Sequence, residues 1–310
     1  MSDLVLNLLL ISLGFVLAAL VAGNNLSVCF GGVISSRVIK RHTGVILTII
    51  GYISGLLLQG GLLGATTSAL IPSSNTTIAL ETALGISIVI FVVSQIKRVP
   101  QSLSITLTAV LVGADLALGV SLPYGFLGYI IGFWVMMPIV SSVAVIYIMR
   151  IWHKRRMSSD IWSYIKVIKP LLIISSFFVA FTLGSNTIGL IMDLMPPGEA
   201  SVLSIVLGTI AGGVILNAGT LRRIGNDIIP LRYMNAASSQ LVSAIMVEIA
   251  TVYGIPLSNT QTFVSSVYAA GVSYKNRLIK KRPFITMTAM WVATAVVGLV
   301  SGFVMIRVLI

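Results

Sequence analysis

Four short polar clusters interrupt an otherwise apolar chain of 310 residues, and they come as two pairs. Gly23-Asn24-Asn25 stands near the end of the first apolar segment. Gly184-Ser185-Asn186 holds the same place in another segment about half a chain later. Downstream of each comes a proline followed by hydroxyl residues: Pro100-Gln101-Ser102-Leu103-Ser104 and Pro256-Leu257-Ser258-Asn259-Thr260. These residue types suit the capture of a tetrahedral anion. Such an ion needs several convergent donors, and hydroxyls together with the N–H groups at a helix N-terminus supply them in a favourable dipole. Ser102, Ser104, Ser258 and Thr260 follow helix-breaking prolines, where half-helices would begin, and Asn259 sits among them. Asn24 and Asn186 each offer two donors and a carbonyl, suited to an anion or a cation.

Hydroxyls in spanning helices usually bond back to the preceding turn or join neighbouring helices, and asparagines serve as interhelical contacts. The mirrored placement of the clusters argues for the sharper reading. No lysine or arginine lies within a span to neutralise an anion, so a coupled cation or a protonated substrate would supply the missing positive charge. Two carboxylic acids stand well inside apolar segments, Asp115 and Glu248, and are candidate proton or cation sites, whereas Glu81 stands nearer an external surface.

The elements that must hold these residues are membrane spans. With 57% hydrophobic and 9% charged residues, the chain is far from the composition of a soluble domain, about a quarter of which is charged. Ten apolar segments follow one another, at about 4–22, 44–64, 78–96, 103–122, 125–149, 170–190, 201–220, 235–254, 257–274 and 284–306. The loops alternate in charge. Nineteen of the 20 basic residues fall on one side, and Arg307 alone lies opposite. That side is cytoplasmic by the positive-inside rule, with both termini outside. The net charge of +12 is therefore topological and does not point to nucleic acid. The single Cys29 makes no internal disulfide, no metal-ligand spacing occurs, and the two histidines stand outside the spans, which argues against a cofactor and against a membrane enzyme. Asn75-Thr76-Thr77 is a glycosylation sequon in an expected external loop.

The chain divides into halves at 1–149 and 170–310, joined by a basic cytoplasmic linker at 150–169. Gly23 and Gly184 are 161 positions apart, and Pro100 and Pro256 are 156 apart. Each half holds five spans, an odd number, so the second copy enters the membrane in the opposite sense. The expected fold is all-α and polytopic: about ten transmembrane helices in two inverted repeats with broken or re-entrant helices. Part of 257–274 is expected to be re-entrant, with the segment after Pro100 entering from the other face.

On these residues the chain resembles the inorganic phosphate transporter (PiT) family, which carries a Gly-Ala-Asn-Asp signature in each half and a downstream Gly-Leu-Pro-Val-Ser-Thr-Thr-His. The counterparts here are Ala22-Gly23-Asn24-Asn25, Gly184-Ser185-Asn186-Thr187 and Gly254-Ile255-Pro256-Leu257-Ser258-Asn259-Thr260-Gln261. In the N-terminal half the second signature decays to Arg98-Val99-Pro100-Gln101-Ser102-Leu103-Ser104. Leu221 to Leu231 resembles a cytoplasmic stretch of the same family. The resemblance implies a multi-pass carrier of phosphate in the cell membrane, cation-coupled, working by alternating access, and a homodimer as its assembly. In family members the signature aspartates are associated with the coupling cation. They are replaced here by Asn25 and Thr187, and the histidine by Gln261, so these three are the corresponding coupling-ion positions and the ion stays open between H⁺ and Na⁺. A carrier of sulfate or another small oxyanion, and a passive anion channel, are the alternatives.

Overall fold

The structure is a computed structural model that describes residues 3–36, 38–71, 76–156, 161–216, 233–273 and 281–310. The described residues that form regular structure are all helical. Long runs of Leu, Ile and Val without water leave the backbone no partner but itself, and the helix satisfies it within one segment.

In the first half, α1 (Asp3–Ser35) is followed by α2 (Arg41–Gln59), which continues through a 3₁₀ turn (Gly60–Leu63) into α3 (Gly64–Leu70). Then come α4 (Thr76–Lys97), α5 (Leu103–Leu118) and α6 (Tyr124–Arg156). In the second half, α7 (Ile161–Leu183) passes through a π-helical turn (Gly184–Ile188) into α8 (Gly189–Met192). It is followed by α9 (Glu199–Ile215), α10 (Tyr233–Val252), α11 (Asn259–Ser273) and α12 (Lys281–Leu309). The ten expected apolar segments each fall on one of these units. Six of the described units are long and apolar enough to cross a bilayer, while α5 and α9 are shorter apolar helices.

Two features differ from expectation. The asparagine clusters do not break their helices: α1 runs unbroken through Gly23-Asn24-Asn25, and the second cluster forms a single π turn. Asparagine disrupts a helix when its side chain bonds the local backbone. Asn24 and Asn186 instead reach across to other segments, which leaves their own helices intact. The segment 150–169 is also more helical than a linker, since α6 continues to Arg156 and α7 begins at Ile161. The sequon at Asn75 and the stretch from Leu221 to Leu231 lie outside the described residues.

Packing follows an approximate twofold relation. Helix α1 lies along α9, and its counterpart α7 lies along α2. Helix α12 packs on α5, and its counterpart α6 packs on α11, so the last helix of each half sits on the opposite half. Lipid is as apolar as leucine, so close backbone approach rather than hydrophobicity must hold such helices together. The glycines permit it in matching pairs. A Cβ on Gly212 would stand 1.9 Å from the Ala19 carbonyl oxygen, and one on Gly55 would stand 1.9 Å from that of Phe181. Similarly, Gly302 lies against Val110 and Gly113 against Leu299.

Substituting alanine for Gly55 or Gly212 should therefore cost about 1–3 kcal/mol of stability through forced separation of the helices. Gly85→Ala and Gly132→Ala, where a Cβ meets nothing within 4 Å, should be neutral or better. Thermal unfolding of the purified variants in detergent checks this. Equal behaviour of the two classes would show that the glycine contacts do not hold the halves together.

Candidate functional site

The chain leaves helical geometry at two buried tips, and the two are built alike. Helix α4 ends with Arg98 in a left-handed conformation (φ 54°), and α10 is followed by Gly254 at φ 69°. At the first, Val99 N–H donates to Ser94 O (3.0 Å) and Arg98 N–H to Gln95 O (3.1 Å). At the second, Ile255 N–H donates to Ala250 O (2.8 Å) and Gly254 N–H to Thr251 O (2.9 Å). Both are Schellman ends, which satisfy carbonyls that would otherwise be orphaned. Four non-helical residues follow in each case, 99–102 and 255–258, all buried. The next helices, α5 and α11, start from Ser102 and Ser258. Ser102 Oγ accepts from Ile105 N–H (3.4 Å), and Ser258 Oγ accepts from Gln261 N–H (3.2 Å). Serine is favoured at such caps because its oxygen takes up one of the first free N–H groups.

The proline step between end and start exposes a carbonyl before it and an N–H after it, and neither can join a helix. One asparagine side chain satisfies both. Asn24 Nδ2 donates to Val99 O (3.2 Å), and its Oδ1 accepts from Gln101 N–H (2.8 Å). Asn186 does the same at the second tip, donating to Ile255 O (2.9 Å) and accepting from Leu257 N–H (3.0 Å). The second amide proton is also matched: Asn24 donates to Gln95 Oε1 (3.2 Å), and Asn186 to Thr251 Oγ1 (2.9 Å). Each asparagine thus makes three hydrogen bonds, with its amide orientation fixed by a partner that can only donate and one that can only accept. Each buried backbone group left unsatisfied would cost about 1–3 kcal/mol. The register shared by the two tips is that of these asparagines, 162 positions apart, rather than of the glycines at 161.

The tips then meet each other. Ser104 Oγ, four residues after Pro100, donates to Leu257 O (3.3 Å). Thr260 Oγ1, four residues after Pro256, faces Gln101 O (3.2 Å) and Asn25 Oδ1 (3.1 Å), with one proton for the two acceptors. A tryptophan from the opposite half closes each tip. Trp134 Nε1 donates to Pro256 O (2.8 Å), and Trp291 Nε1 donates to Pro100 O (3.3 Å). The N-termini of α5 and α11 therefore converge. Each retains the N–H groups of its first two residues, which a helix cannot satisfy internally, and a serine hydroxyl whose proton is free to point outward. Two helix N-termini, each carrying about half a positive charge, suit an anion without any cationic side chain.

The expected site residues are distributed as follows. Asn24, Ser102, Ser104, Asn186, Ser258, Asn259 and Thr260 all belong to the two tips or their staples, and each is at most 2% exposed. Asn25 joins them through Thr260, and its Nδ2 donates to Val21 O of its own helix (3.2 Å). Thr187 is buried in the π turn beside Asn186, and Gln261 is half-buried in the first turn of α11. Glu248 lies one turn before Thr251 on α10, where its Oε1 accepts from Gln59 Nε2 (2.8 Å). Asp115 is not brought to the tips. It is buried near the far end of α5, about 18 Å along the helix from Leu103. Gln95, Thr251, Trp134 and Trp291 were not singled out from the sequence. Gln95 and Thr251 each stand five residues before a proline, and the tryptophans are 157 positions apart, so the repeat offset itself is the signal that finds them. Two outer grooves, about 590 Å³ beside Glu81 and about 500 Å³ beside Arg41 and His42, lie away from the tips.

Asn24→Asp and Asn186→Asp should each destabilise the protein by about 3–5 kcal/mol, because a carboxylate oxygen would face carbonyl oxygens with no donor between them. Asn25→Asp should cost clearly less, since Nδ2 there gives up one hydrogen bond, to Val21 O of its own helix, where Asn24 and Asn186 each give up two. Thermal unfolding of the three variants decides it, and equal losses would contradict the staple.

Known proteins match this chain over nearly its whole length. A sequence model described as the phosphate transporter family matches residues 21–302. A protein of Methanocaldococcus jannaschii, provisionally described as a phosphate permease, is 28% identical over 309 residues, covering 99% of both chains. The sulfate permease CysP of Bacillus subtilis is 23% identical, covering 92% of this chain and 82% of its own. Among solved structures, one titled the sodium-dependent phosphate transporter has the same fold, with a TM-score of 0.87 at 13% identity and coverage of 98% of this chain and 99% of that one. The chain is a multi-pass integral membrane protein and belongs to the phosphate transporter family.

Proposed function

We propose that this protein is a secondary active carrier of inorganic phosphate, coupled to a cation and working by alternating access. The observation that carries this reading is the convergence of two capped helix N-termini, one from each inverted half, at a buried point where hydroxyls and spare N–H groups gather. Family membership and the phosphate permease relative favour phosphate among tetrahedral anions. Sulfate is the second reading, favoured by the sulfate permease among the relatives.

In this mechanism the anion binds between Ser102 and Ser104 of one tip and Ser258, Asn259 and Thr260 of the other. Asn24 and Asn186 act from behind by holding the backbone that presents those donors. Binding replaces the direct ties from Ser104 to Leu257 and from Thr260 to Gln101. The repeats, taken as 1–149 and 170–310, then move about the bound ion to expose it to either side. The coupling ion is H⁺ or Na⁺. Asn25, Thr187 and Gln261 adjoin the tips and are candidates to hold it, and Glu248 is the nearest candidate proton carrier. Asp115 could act only at a distance. No step makes or breaks a covalent bond, so the protein is a carrier and not an enzyme. The assembly we propose, on family resemblance, is a homodimer.

The test is uptake of labelled phosphate into proteoliposomes under an imposed proton or sodium gradient, with unlabelled sulfate as competitor. Accumulation against a phosphate gradient is expected, and it separates a carrier from a passive channel. Ser258→Ala should weaken phosphate affinity about tenfold, the loss of one hydrogen bond to a charged group, with expression intact. Glu248→Gln should abolish accumulation while leaving exchange of bound anion. Accumulation of sulfate with no phosphate uptake would transfer the site to the second reading, and downhill flux alone would discard the carrier.

A further inference from the structure

Two bare oxygens outside the tips belong to a single hydrogen-bonded pair. Gln59, the last residue of α2, donates from Nε2 to Glu248 Oε1 on α10 (2.8 Å). The other oxygen of each group, Gln59 Oε1 and Glu248 Oε2, is buried and has no hydrogen-bond partner among the described residues. Gln59 is also the only polar partner of Glu248 among those residues, so no basic side chain there balances a carboxylate. Ionised, Glu248 would leave both oxygens stranded inside a span, where an unmatched acceptor is costly and an unmatched charge more so.

One proton removes both faults. A carboxylic acid carries an O–H donor beside its carbonyl, and a primary amide carries N–H donors beside its own. Set face to face they make two hydrogen bonds, from the amide nitrogen to Oε1 of the acid and from Oε2–H to the amide oxygen. We propose that Glu248 and Gln59 form such a neutral carboxylic acid–amide pair, a proton-operated clasp between the two halves of the carrier. This inference rests on the carrier reading above, and it gives the candidate proton site a partner and a mechanical consequence.

The clasp sits where its state reaches the second tip. Glu248 stands one turn before Thr251, which accepts from Asn186 Nδ2 (2.9 Å). A little further on, the Gly254 carbonyl accepts from Thr66 Oγ1 on α3, the continuation of α2. The stretch from Gln59 to Thr66 thus grips the end of α10 at two points, one fixed and one dependent on a proton. Loss of that proton to water leaves Oε2 and the amide oxygen as two opposed acceptors, and the pair keeps one bond of its two. The residue 156 positions before Glu248, the offset of the prolines, is Val92, so the carboxyl has no counterpart at the first tip. The other ionisable groups on the surrounding described elements are distant or engaged. Arg41 and His42 lie about 25 Å along α2 from Gln59, and Lys166, Lys169 and Arg150 stand similarly far from the second tip along α7 and α6. Tyr253 and the tyrosines of α6 are exposed, Tyr268 stacks on Phe284, Tyr52 accepts from Cys29, and Asp193 accepts from Thr67.

The experiment is infrared difference spectroscopy of the purified full-length protein in lipid, titrated with pH in potassium and then in sodium buffer. The readout is the carbonyl stretch of a protonated carboxyl, identified by its shift in heavy water. Wild type should show a band that Glu248→Gln lacks and Asp193→Asn keeps. Gln59→Leu, which removes both bonds, should move that band to higher frequency as the acid carbonyl loses its donor. Exchanging the pair, Gln59→Glu with Glu248→Gln, rebuilds the ring with its roles reversed. It should bring the band back, together with the proton-driven phosphate accumulation that Glu248→Gln alone abolishes. A band absent from wild type at every pH, or unmoved in Gln59→Leu, would overturn the clasp. So would a band that sodium removes at constant pH, which would assign the bare oxygens to a cation. An exchanged pair that restores the band without accumulation would overturn its coupling to transport. Wild type that shows the band yet accumulates no phosphate would overturn the phosphate reading and leave the pair standing.

Discussion

Everything at the centre of this protein depends on satisfying a broken backbone away from water. Each proline step frees one carbonyl and one N–H in surroundings where such groups cannot be left bare. A single asparagine side chain from a continuous helix meets both, and its remaining proton reaches the preceding helix, at Gln95 in one half and Thr251 in the other. Once those bonds are made, the chain can afford to start two new helices inside the protein. Their N-terminal groups then become available for a ligand. The staple and the proposed anion site are thus one device: the asparagine stabilises the geometry in which the serines and threonine are presented.

Interleaving explains why the tips keep their places. The tryptophan that caps Pro256 belongs to α6, and the one that caps Pro100 belongs to α12, so each half completes the other's tip. The glycines of α9 and α2 bring α1 and α7 within backbone contact in the same crossed manner. Each hairpin is thus tied to the last helix of the opposite half. The direct contacts between the two tips themselves are few and polar.

The polytopic fold, the two inverted halves and the tip residues were legible because hydrophobic length, charge alternation and proline chemistry each act locally in sequence. The role of Asn24 and Asn186 was not legible. An asparagine beside glycine reads as a helix interruption or a ligand, and only the partner's position, 75 residues away in one half and 69 in the other, shows that its bonds go elsewhere. The bonds from Gln101 Nε2 to Thr294 Oγ1 and from Asn259 Nδ2 to Thr182 Oγ1 were hidden for the same reason, since both threonines lie on other helices. Asp115 illustrates the converse. Its place inside an apolar segment made it a candidate, yet position along α5 sets it far from the tips, and periodicity alone carries no information on depth relative to a site in another element.

A carrier must bind its ion firmly enough to select it and loosely enough to release it. A lysine or arginine at the tips would hold an oxyanion by charge and resist its release. This site instead uses neutral hydroxyls, amides and the ends of helices, whose combined field is fixed by the fold and costs nothing to reorganise. In the carrier proposed above, Ser104 and Thr260 would return to the carbonyls of the opposite tip once the anion leaves, so these two hydroxyls stay satisfied in the empty site. Ser104 and Thr260, each four positions after a proline, would therefore serve both the bound and the empty state. That exchange of partners would let a buried polar site open and close without stranding these two hydroxyls.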